Sequence, residues 1–164
     1  MASDNQSITA SARPAVESLQ RFTQLPVVQA ALGRAQAEAL ARLQNDAKLP
    51  AAFVSVDLAS LAVTPPAEAR SLRVVVTRDA GGDTIERHAN CSQYLYLMGT
   101  PLETHVQTDS GWRIDRYGQG PETTLEDRWH VVPAGVWHKS VAPGAVNWSV
   151  AAFHSAAQVN DEFK

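Results

Sequence analysis

Residues 86–99 read ERHANCSQYLYLMG, and residues 131–141 read VVPAGVWHKSV. In the first stretch, the alternation from Gln93 onward has the period of a strand, yet a polar knot stands directly before it. Residues two apart on a strand share a face, so Glu86 and His88 point the same way. Four residues then turn the chain, and Gln93 opens the next strand. With Gln93 inward, Leu95 and Leu97 follow it, and Tyr94 and Tyr96 face an exposed or dimer-covered surface. In the second stretch Pro133 and Gly135 shape a turn, and His138 starts the strand that leaves it. A neutral imidazole delivered by a rigid turn suits a metal. Glu86, His88 and Gln93 are therefore predicted to converge on one point inside a barrel.

The rest of the chain supports a barrel. Residues 49–164 carry short runs rich in β-branched residues, among them AAFVSVDL, SLRVVVT, LETHVQT, GWRIDRYG, RWHVV and NWSVAAFH. Gly, Pro, Asp and Asn separate them, which predicts seven or so short strands in a sandwich or barrel. Gly81-Gly82 in DAGGD predicts a tight turn. Residues 14–48 follow a helical period instead. Pro14 and Pro26 each suit the first turn of a helix, where no N–H is needed. Val28, Leu32, Ala35, Ala39 and Leu43 form one apolar stripe, with enough alanine to lie close against a sheet. Residues 1–13, rich in Ser, Ala and Asn, read as a flexible tail.

Composition narrows the function. The 164 residues are 45% hydrophobic with a formal net charge of −3, and the fourteen Lys and Arg are scattered. That pattern predicts an ordinary globule and argues against nucleic-acid binding. A single cysteine, Cys91, permits no intrachain disulfide and fits a reducing compartment. No apolar run reaches membrane-spanning length, and the first residues lack a secretory pattern, so a cytoplasmic protein with no membrane contact is expected. No phosphate-binding loop, nucleophile elbow or paired-Cys zinc motif is present.

Together the two opening stretches resemble the motifs of the cupins. The usual first cupin motif is His-x-His, four residues, Glu, then an alternating strand ending in Gly; here it runs Glu86-x-His88, four residues, Gln93, then to Gly99. The second motif, Pro-x-Gly-x-x-His, is matched by Pro133, Gly135 and His138, while Asp127 and Ala142 replace its flanking Gly and Asn. The resemblance covers roughly residues 70–155. It implies a mainly β fold, a double-stranded β-helix (jelly-roll) barrel, here preceded by one or two helices. It also implies a divalent metal (Fe, Mn, Ni or Zn), a small-molecule substrate or ligand, and a homodimer. Carried over by position, His88 and His138 match His ligands, Glu86 stands where the first His would be, and Gln93 where the Glu would be.

Three functions follow. One is a metal-dependent enzyme on a small organic molecule, with dioxygenase chemistry favoured because two His and a carboxylate suit Fe(II). The ligands would be Glu86, His88, His138 and Gln93, with Gln93 alternatively orienting substrate beside Trp137, and His154 a possible acid/base. The second is a metal-free barrel that binds a ligand without turnover, for which Glu86 and His88 would be a hydrogen-bonded pair. The third is a structural dimerisation module. Cys91 reads as a ligand, a redox group or an apolar filler; His105 reads as a surface residue, and His130 as either an inner- or an outer-face residue. The four tryptophans cap the barrel or line its cavity.

Overall fold

The computed structural model describes residues 4–121 and 124–164. Two helices, α1 (Arg13–Thr23) and α2 (Pro26–Asn45), precede ten strands among the described residues. These are β1 (Ala51–Ser55), β2 (Ser71–Arg78), β3 (Glu86–His88), β4 (Gln93–Leu97), β5 (Leu102–Thr108), β6 (Gly111–Tyr117), β7 (Trp129–Val132), β8 (His138–Val141), β9 (Asn147–His154) and β10 (Asp161–Phe163). All pairings are antiparallel. They build two five-stranded sheets, ordered β1-β2-β9-β4-β7 and β10-β3-β8-β5-β6. The two sheets face each other as a jelly roll with the helices outside.

Pro14 and Pro26 lie in the first turns of the two helices as predicted, and Val28, Leu32, Ala35, Ala39 and Leu43 are all buried. They lie on the outer face of the first sheet, whose Val74, Tyr96, Trp129 and Phe153 pack with Val16, Leu19, Phe22 and Leu32. Tyr94 and Tyr96 are therefore not on an exposed or partner-covered face. Alternation set their side of the sheet, but the chain's own helical layer buries them. The inner face holds a separate cluster of Leu95, Leu97, Leu102, Tyr117, Trp148 and Val150. The first sheet thus has apolar side chains on both faces, which explains the unbroken burial of β4.

Three expectations need correction. The run AAFVSVDL stops being a strand at Ser55, because the Asp57 side chain accepts from the Ala59 N–H and starts a single 3-10 turn over Leu58–Leu61. The N-terminal segment, expected to be loose, lies against the barrel from Asn5 to Ser7. Asn5 Nδ2–H donates to the Trp129 carbonyl, and Ser7 Oγ accepts from the Val131 N–H, so this segment covers the free edge of β7. There are also more strands than seven, and the least expected is β10. The DAGGD turn forms as predicted, with φ of 72° at Gly81 and 92° at Gly82. A Cβ at Gly82 would come within 2.8 Å of Val141 Cγ2, so a side chain is excluded by space as well as by backbone.

Candidate metal centre

In the β3–β8 pairing Glu86 stands directly opposite His138, and His88 shares the face of Glu86 two residues on. The turn carrying Pro133 and Gly135 (φ 76°) is tied to this place by the Gly135 N–H, which donates to the His88 carbonyl at 2.8 Å. Sheet register and one turn therefore bring three donors together. One ligand atom from each of Glu86, His88 and His138 lies within 4.8 Å of the others, the only such group of three or more His, Cys, Asp or Glu among the described residues.

Each imidazole is oriented by its far nitrogen. His88 Nδ1–H donates to Asp161 Oδ1 at 2.7 Å, and His138 Nδ1–H donates to the Val136 carbonyl at 3.0 Å. In a neutral ring this leaves the lone pair on Nε2. Both Nε2 atoms are buried without a hydrogen-bond partner, 4.0 Å and 3.6 Å from Glu86 Oε1. Two unpartnered lone pairs aimed at one carboxylate are costly as a hydrogen-bonding arrangement and well suited to a divalent metal. Burial pushes the His88 pKa down despite Glu86 and Asp161, which keeps the ring neutral and able to ligate. Burial alone would raise Glu86, but His138, His88 and Arg73 outweigh it and hold the carboxyl below its ordinary range.

Glu86 and Gln93 stand at the edge of a cavity of about 410 Å³ between the two sheets. Apolar walls come from Val75, Leu95, Val150 and Ala152, with Phe53 and Phe163 at the rim. Two of its residues escaped sequence reasoning. Asp161, which orients His88, lies on three-residue β10, a stretch too short to show any period. Arg73 meets Asp161 through both Nη atoms at 3.1 Å. Alternation along SLRVVVT puts Arg73 on one face with Val75 and Thr77, and a charged residue on that inner face is the signal that could have found it.

The other predicted site residues are placed as follows. Gln93 Nε2–H donates to His154 Nε2 at 3.2 Å, and Gln93 Oε1 is buried with no partner. His154 is fully buried, its ring against that of His88 with centroids 4.9 Å apart, and it stands behind Gln93 rather than on the cavity wall. Burial and the nearby Arg73 push it down to about 3, so the ring is neutral at ordinary pH. Trp137 does not line the cavity. Its neighbour His138 points inward, so the indole stands on the other face of the sheet, beneath the Arg87 guanidinium (4.7 Å) and the Lys164 ammonium (4.8 Å). Cys91 is buried outside the donor group, and burial raises its thiol, which fits the filler reading.

The remaining histidines and tryptophans separate. His105 pairs with Glu103 away from the centre. His130 is interior, not outward-facing: Nε2–H donates to buried Asp115 at 2.9 Å, and the ring stacks on Tyr117. Trp148 lines the cavity, Trp129 lies under the helices and Trp112 is exposed.

No protein-family model and no curated protein matches the chain. Solved structures do. A mutant form of Bacillus subtilis oxalate decarboxylase superposes with a TM-score of 0.55 at 14% identity, covering 71% of this chain and 28% of that one. The same enzyme at pH 4.6 gives 0.54 at 14% identity, covering 70% and 28%. The chain folds as a cupin. A third structure of that decarboxylase, from work on its Mn(II) centres, gives 0.54 at 14% identity over the same shares, 71% and 28%. The match spans little more than a quarter of the length of each of these longer chains. No helix among the described residues is long and apolar enough to cross a membrane.

Proposed function

We propose that this cupin binds a divalent metal through Glu86, His88 and His138 and acts on a small organic molecule held in the adjoining cavity. The observation that carries the reading is the pair of buried, unpartnered Nε2 atoms facing one carboxylate. A metal there supplies Lewis-acid or redox chemistry. Two His and one carboxylate suit non-haem Fe(II) oxygenases, so oxidation by dioxygen is the reaction class favoured; Mn, Ni and Zn are accommodated by the same donors. The protein's own part is preorganisation. Asp161 and the Val136 carbonyl fix the two rings, Arg73 fixes Asp161, and Gln93 Oε1 offers a neutral acceptor to a substrate hydroxyl or amide, or a fourth ligand.

Metal content of the untagged protein tests this directly. About one equivalent of metal per chain is expected, and its loss is expected in the His88→Ala/His138→Ala double variant. Wild-type protein that stays metal-free after anaerobic reconstitution with Fe(II), Mn(II) or Zn(II) would overturn the proposal. The barrel would then be a metal-free ligand-binding module.

A further inference from the structure

Arg73 has a second use beyond holding Asp161. Its bond to the carboxylate is end-on, one N–H from each Nη. A guanidinium carries five N–H donors in a fixed fork, so the side-on fork of Nε–H and the adjacent Nη–H has no partner among the described residues. The side chain lines the cavity and keeps 21% exposure, and the Phe53 ring stands 5.7 Å from the guanidinium carbon at the rim. The Asp161 carboxylate that it holds also accepts from His88, which places Arg73 beside the donor group.

The charge of the cavity points the same way. Its ionisable walls are Arg73, Arg78 and Lys139 against Asp83, Glu86 and Asp161, so cations and anions balance. Arg78 is tied to the backbone through Nε–H and one Nη, which donate to the carbonyls of Leu49, Leu43 and Asp46. A divalent ion on Glu86 then leaves the cavity with excess positive charge, which an anionic ligand neutralises. The remaining wall is apolar, and a volume of about 410 Å³ lies within the ordinary range of small-molecule sites, far more than a bare carboxylate fills.

We infer that the ligand of this cavity is a small carboxylic acid with an apolar, preferably aromatic, tail: its carboxylate docks side-on against Arg73, and its tail lies along Val75, Leu95 and Val150 toward Phe53 and Phe163. The inference rests on the metal reading for the excess positive charge, but the Arg73 contact does not need the metal.

Calorimetric titration of the full chain with phenylacetate, phenylacetamide and acetate tests it, with and without Zn(II), in wild type, Arg73→Gln, Arg73→Lys and Phe53→Ala. Wild type is expected to favour phenylacetate over the isosteric amide by about tenfold or more, as one charge-assisted fork supplies. Arg73→Gln is expected to erase most of that preference, and Arg73→Lys to keep part of it. Phe53→Ala is expected to weaken phenylacetate while leaving acetate unchanged. Equal binding of acid and amide by wild type, no binding of phenylacetate, or a full preference in Arg73→Gln would each overturn the inference. Zn(II) affinity measured on every variant separates the two ideas. If wild type binds no metal, the metalloprotein reading falls, while an Arg73-dependent preference in metal-free protein still upholds this one.

Discussion

The barrel interior holds two His–carboxylate clusters that use the same residue types to opposite ends. In the first, the Glu86 side chain keeps 29% exposure, and the imidazole nitrogens nearest it stand at 3.6 and 4.0 Å, outside hydrogen-bond range. In the second, Asp115 is fully buried and saturated: Arg113 Nε–H and Nη–H donate at 2.9 and 2.8 Å, and His130 Nε2–H at 2.9 Å. Because Asp115 belongs to β6 and His130 to β7, that contact joins the two sheets across the interior. One cluster has its donors converging and unspent; the other has spent its carboxylate on a brace. Residue identity does not distinguish them. What does is whether the open lone pairs share a target: the unpartnered Nδ1 of His130 stands alone, whereas those of His88 and His138 meet at Glu86.

The sharpest way to break this contrast is to remove each carboxylate. Asp115→Ala strands a buried imidazole and the Arg113 charge, so a loss of about 3–5 kcal/mol is expected in urea unfolding. Zn(II) affinity of the folded fraction should be unchanged; a fall would merge the two clusters into one site. Conversely, Zn(II) at about a hundred times its dissociation constant should stabilise wild type by about 2.7 kcal/mol. His138→Ala should abolish that gain in the melting curve, whereas Asp115→Asn should keep it.

Acid should act on the brace. Arg113 and His130 outweigh burial and hold Asp115 down at about 2, against an ordinary 3.8, so the unfolded chain takes up its proton first as pH falls. That contribution, about 2 kcal/mol, is complete above about pH 4 and disappears between about pH 4 and 2. His130, pushed below 6.5 by burial despite Asp115, acts with the same sign from about pH 6.5 downward. Stability measured against pH should decline over this span, and Asp115→Asn should flatten the more acidic part. An unaltered profile in that variant would remove Asp115 from the account.

Finer differences test the supports. Asp161→Asn should weaken metal binding by about 10- to 100-fold in a chelator competition, as loss of a ring-orienting partner does. Trp137→Leu should leave metal and ligand binding alone and cost about 0.5–1 kcal/mol from its two cation contacts.

The particular residues show why the site was partly readable from sequence. Glu86, His88 and His138 were legible because period two fixes a face and the Pro133–Gly135 turn fixes a direction. Both are local properties, and the inner face of a closed barrel has one centre. What covers the opposite face is not local, so Tyr94 and Tyr96 were given the right side and the wrong neighbours. Asp161 was invisible for a related reason: three residues carry no period, and the value of β10 lies in pairing with a strand more than seventy positions earlier. The jelly-roll architecture was legible because turn chemistry recurs between strands; the exact number of strands depends on such short, partner-defined pieces.

The β3–β8 pairing extends over a single register position, Glu86 opposite His138. On one side of this seam lie β3 and β10, and on the other the rest of the second sheet. The proposed ligands sit on both sides, Glu86 and His88 on one and His138 on the other. An ion bound there would stitch the seam, so the ribbon of β3 and β10 should breathe in the metal-free protein. Its amide protons, those of Arg87 and Glu162 among them, should exchange with solvent well ahead of the β2–β9 ladder and slow once metal is added.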